Sequence, residues 1–149
     1  MSMFERPIGV EPFQCGYERG ELMPMLSGAP ALAILAFTPI RTLRPMFRRV
    51  VSDAGAEERW TALKKQFRKI RSDGFCMSVN DPDPGIIYIS VPLHQEAGGI
   101  AGSLTFAGNE RDFDPEQRGA VASQLQEMSR DIRESILRNM EQSKEDGRV

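Results

Sequence analysis

Apolar residues recur at two different periods along this chain, and the switches between those periods divide it into elements. From 56 to 72, Trp60, Leu63, Phe67 and Ile70 are spaced three, four and three apart, the mark of a helix with one buried stripe. From 75 to 80 the period drops to two, with Phe75, Met77 and Val79 set against Cys76, Ser78 and Asn80. The run 86–93 is apolar on both faces, as an inner strand requires. A loop from His94 to Gly99, with two glycines, leads into 100–107, where Ile100, Gly102, Leu104 and Phe106 alternate with the small residues Ala101, Ser103, Thr105 and Ala107.

Upstream, Ser27 is positioned to cap a helix with body 31–37, Pro30 in its first turn and Pro39 closing it. A short basic helix is expected over 43–50, and one extended strand near 13–17. Asp114, Pro115 and Gln117 form a strong helix start, and the stripe Val121, Leu125, Met128, Ile132, Ile136 and Met140 is expected to be buried. Residues 1–141 then make one domain and 142–149 a polar, fraying tail. Helices flanking an antiparallel meander define an α+β fold.

Composition narrows the function. Nineteen basic and twenty-one acidic side chains leave a net charge of −2, without the concentrated basic face that DNA binding needs. The cluster Lys64, Lys65, Arg68, Lys69 and Arg71 reads as a solvated helix face, and no DNA contact by this chain alone is expected. Cys15 and Cys76 match no metal or CxxC spacing and read as two reduced thiols of a cytoplasmic protein. No stretch resembles an export signal or a membrane span, so no membrane partner is expected. The single histidine, His94, sits in a loop, and Asp81 and Asp83 read as turn formers. With no nucleophile–base pair, phosphate loop or zinc pattern, the expectation is no enzyme, no cofactor and no metal. What remains is a place for a small ligand: small side chains at 101–107, hydroxyls at Ser78, Ser103 and Thr105, and a helix start near Ser27 able to face a carboxylate. Small residues that let a helix pack closely on the sheet explain the same pattern.

Four segments resemble the IclR family of transcription regulators. The stretch 20–36 is similar to its glycine, Pro-Leu/Met pair, small turn and Leu-Ala helix. Ile70-Arg71-Ser72-Asp73-Gly74-Phe75 is similar to its Ile-Arg-x-x-Gly-Tyr/Phe handover, and 89–93 and 102–108 to two of its strands. The likeness runs roughly from Pro7 to Met140. It implies a GAF-like antiparallel sheet flanked by helices that binds a small organic or aromatic acid. Ser27, Gly28, Ala29, Ser78, Tyr88, Thr105 and Ala107 are the residues carried over as ligand contacts. It also implies self-association as a homodimer or larger, and DNA contact only through a winged helix outside this chain. The family's domain opens with a helix and two strands ahead of the position where this chain starts, so an unprotected sheet edge is expected to recruit a partner. The chain departs from the pattern where Ala31-Leu32 replaces Gly-Lys, Ser78 an acidic residue, and Ala107 a serine. The rivals from other classes are a thiol-based reductase using Cys15 or Cys76 and a dimerisation module without ligand.

Overall fold

The computed structural model describes Gly20, residues 22–95 and residues 98–146. The strand expected at 13–17, Cys15, Glu96 and Ala97 fall outside the described residues. Four helices and three strands follow in the order α1 (Ala29–Leu35), α2 (Ile40–Val50), α3 (Ala56–Asp73), β1 (Cys76–Val79), β2 (Ile86–His94), β3 (Ile100–Asn109) and α4 (Pro115–Asp146), with one 3-10 turn at Glu110–Asp112. The strands form an antiparallel sheet in sequence order, with β2 in the middle. Among the described residues, β1 and β3 are its two edges.

The two-residue period of β2 sorts its side chains into two cores. Ile86 and Tyr88 pack with Leu32, Ala33, Phe47, Trp60, Leu63, Phe67 and Ile70 of the first three helices. Ile87, Ile89 and Val91 pack with Ala122 and Leu125 of α4 and with Leu104 and Phe106 of β3. The result is a layer of strands between two layers of helix, which is why the 86–92 run is buried throughout. Pro92 lies two residues past Ser90, where the pairing with β1 ends. The Phe67 and Ile70 face of α3 is buried, and its basic residues point outward, as the periodicity requires. Arg71 is the exception in role: its Nη1 donates to the carbonyl of Ala36 at 2.6 Å, closing the end of α1.

α4 begins as the sequence dictates. Gln117 N–H donates to Asp114 Oδ1 at 2.9 Å and Asp114 N–H to Gln117 Oε1 at 2.8 Å, a reciprocal capping pair. Its stripe behaves differently from expectation. Leu125 is buried, but Met128 is 51% and Ile136 52% exposed. Among the described residues, the last hydrogen bond from α4 to the sheet is that of the Ser129 hydroxyl to the carbonyl of Pro92 at 2.8 Å, and the helix continues beyond it.

Gly74 joins α3 to β1 in the left-handed region, φ 76°, with its N–H donating to the carbonyl of Ile70 at 2.8 Å. A Cβ there would sit 2.6 Å from Gln126 Nε2, the group that donates to the Asp73 carbonyl at 3.0 Å. Gly74→Ala would strain the backbone and push Gln126 off that carbonyl. A loss of about 2 kcal/mol is expected in urea unfolding. A loss below about 0.5 kcal/mol would mean that α4 does not seal this corner.

Candidate functional site

Register and alternation bring the carried-over residues to one side of the sheet. Ser78 pairs with Tyr88 across β1 and β2, and Tyr88 with Ala107 across β2 and β3, so the three form one row. Tyr88 and Ala107 belong to the core beneath α1. The next row is Cys76, Ser90 and Thr105. Ser90 is fully buried, and its hydroxyl lies 2.9 Å from that of Thr105. Thr105 therefore faces the α1 side, as strand alternation predicts. Ser103 shares this face by the same alternation. Its Oγ is buried with no hydrogen-bond partner among the described residues.

The start of α1 lies over the Ser78 end of this surface. Ala29 N–H donates to Ser78 Oγ at 3.1 Å, and Ser78 Oγ donates to the carbonyl of Asp81 at 3.0 Å. All seven carried-over residues thus fall on one surface, formed by α1 and the sheet. The expected cap is different in detail. Gly28, φ 77°, is the residue before the helix, and Ser27 makes no capping bond to it. Instead the Ser27 hydroxyl donates to Asp81 Oδ1 at 2.6 Å and Gly28 N–H to Asp81 Oδ2 at 3.0 Å.

Asp81 was legible only as a turn former, and its partners lie more than fifty residues upstream. No local pattern announces that pairing. Asp83 also does more than turn the chain, since its carboxylate accepts the Tyr88 hydroxyl. Ser90 had a weak signal: it is the only polar side chain between Ile86 and Leu93 apart from the Tyr88 hydroxyl. His94 stands at the opposite end of α1, exposed, with its ring 5.1 Å from that of Phe37 in an edge-to-face contact.

α1 approaches the sheet closely because its inner residues are small. Ala29, Ala33 and Ala36, spaced four and three apart, are fully buried. Space for a ligand is therefore to be sought along the margin of α1, where Thr105 and Ala107 are only partly buried.

Cys76 lies in the same surface but is 3% exposed. Burial, and secondarily the charge of Asp81, push its thiol up to about 11 from an ordinary 9.0. Nucleophilic and redox cysteines need the opposite shift. The raised value makes the folded chain hold its proton where the unfolded chain releases it. Stability from this group is intact below about pH 9 and is lost as pH rises toward 11. Wild type should lose on the order of 2–3 kcal/mol more than Cys76→Ala between pH 8 and 11. Equal slopes for the two proteins in urea titrations would refute this. No group of three or more metal-ligating side chains occurs among the described residues.

Comparison with known proteins places this arrangement in a family. Residues 13–134 match the family model of the bacterial transcriptional regulator IclR C-terminal domain. The chain belongs to that family. The IclR of Thermotoga maritima superposes with a TM-score of 0.72 at 22% identity, covering 84% of this chain and 52% of that one. The C-terminal domain of a transcriptional regulator from Vibrio cholerae gives 0.65 at 23% identity, covering 79% and 69%. The repressor BlcR of Agrobacterium tumefaciens gives 0.67 at 14% identity, covering 80% and 50%. This chain thus spans about half the length of the first and third. No curated protein matches it. The α+β architecture is that of the IclR C-terminal domain. The matched model is the C-terminal domain of bacterial transcriptional regulators. No helix among the described residues is long and apolar enough to cross a membrane.

Proposed function

We propose that this domain senses a small organic or aromatic carboxylate in the cytoplasm and relays its presence to a DNA-binding domain outside this chain, within a homo-oligomer. The observation that carries the reading is the convergence of Ser78, Tyr88, Thr105 and Ala107 on the face that α1 overlies, with Ser27, Gly28 and Ala29 at its rim. A few oriented polar groups in an apolar surround are what small-molecule sites are made of. The buried, unpartnered Ser103 Oγ adds a further one, since an effector oxygen or N–H reaching it would relieve the cost of its isolation.

A thermal-shift screen against a panel of organic and aromatic acids tests the reading, because a ligand that binds only the folded state raises its melting temperature. At 100 times Kd the gain is about 2.7 kcal/mol, or several degrees for a chain of this size. Thr105→Phe should abolish the gain by filling the α1 margin, whereas His94→Ala, at the far end of α1, should leave it intact. No response to any acid would leave the ligand-free dimerisation module, the reading that the buried Ala29, Ala33 and Ala36 favour.

A further inference from the structure

Ser27 and Gly28, at the rim of the surface proposed above for an acid, already hold a carboxylate. Both oxygens of Asp81 are engaged, Oδ1 by the Ser27 hydroxyl at 2.6 Å and Oδ2 by Gly28 N–H at 3.0 Å. This two-point grip is the one a free acid would receive. The backbone of Asp81 is fixed as well, through the Ser78 hydroxyl, which bridges the Asp81 carbonyl and Ala29 N–H. Among the described residues no cation forms a salt bridge with Asp81, so these donors are its main partners.

We infer that Asp81 is a resident competitor: its side chain fills the acid-binding place of the empty domain, and an acid binds at Ser27 and Gly28 only by displacing it. Two carboxylates cannot share this spot, because like charges roughly 4 Å apart repel and the two donors are already used. A side chain held in place by the fold acts at an effective concentration of millimolar or more, so a free acid meets it at a disadvantage. The apparent affinity for acids falls by the fraction of molecules in which Asp81 has left. Displacement removes the side-chain tie between the β1–β2 turn and α1 and leaves only the Ser78 bridge, which couples acid binding to the β1 edge of the sheet. The part of this inference that concerns an effector rests on the proposed function; the part that concerns Asp81 does not.

Formate and acetate, compared with chloride at equal ionic strength, are the probes. Asp81→Gly removes the carboxylate and should melt lower than wild type. Formate should raise its melting temperature by several degrees more than chloride does, and Ser27→Ala in the same background should cancel that gain. Wild type should respond alike to formate and chloride. Asp81→Asn, which keeps the side-chain shape, covers the case in which Asp81→Gly fails to fold; it should bind formate at least tenfold more tightly than wild type in a calorimetric titration. Absence of any formate-specific effect in both variants would overturn the inference, as would an equal effect in wild type. If formate rescues Asp81→Gly while no acid in the panel stabilises wild type, Asp81 keeps this role and the organic-acid effector is refuted. If an acid stabilises wild type and the variants ignore formate, the effector reading survives and the competitor does not.

Discussion

Trp60→Ala is expected to cost about 3–5 kcal/mol and to lower the melting temperature by roughly 10–15 °C. The indole is 5% exposed and lies 5.0 Å from the ring of Phe47, so it ties α3 to α2. It also carries the guanidinium of Arg44 over its face, 4.7 Å from the ring centre. Arg44 is ion-paired with Glu57, yet its Nη1 is buried with no hydrogen-bond partner among the described residues. Removing the ring would therefore open a cavity and strip Arg44 of its stacking partner. Trp60→Phe keeps an aromatic ring at the site and should recover more than half of the loss. Urea unfolding followed by far-ultraviolet circular dichroism measures both variants. A cost under 1 kcal/mol for the alanine variant would show that α2 contributes little to this core.

The second large effect belongs to the opposite face of the sheet. Ile89→Ala should cost about 2–5 kcal/mol, because Ile89 is fully buried at the middle of the central strand. It packs in the cluster of Ala122, Leu125, Leu104 and Phe106, opposite Phe106 in the register. Neighbouring strands on both sides limit how far the cavity can collapse. The cost should be additive with that of Trp60→Ala, since the two sit in separate clusters on opposite faces. A coupling above about 1 kcal/mol in the double variant would mean that the two cores behave as one.

Much of this architecture is written in the chain as local periodicity. The three-four spacing of Trp60, Leu63, Phe67 and Ile70 gave α3, and the alternation around Thr105 gave its direction, because both depend only on backbone geometry. The capping pair of Asp114 and Gln117 is equally local. What escaped was set by distant partners. Nothing near Asp81 announces that its carboxylate bonds Ser27 and Gly28, since the meeting depends on how the sheet docks on α1. The exposure of Met128 and Ile136 escaped for a related reason: an apolar stripe reveals which side of a helix is sticky, but not where the surface it lies on comes to an end. The candidate site residues came from likeness to the family, and periodicity supplied the face on which the strand residues among them lie.

That end of the surface has a mechanical consequence. α4 runs for 32 residues, of which the 17 from Arg130 onward extend past Ser129, its last hydrogen bond to the sheet among the described residues. At 1.5 Å per residue this arm is about 25 Å long. A tilt of about 5° where α4 meets β2 and β3 would carry its tip about 2 Å, a displacement larger than the rise of one residue. Geometrically the helix is a lever with its fulcrum on the sheet: any small rearrangement among the strands would be enlarged at its far end.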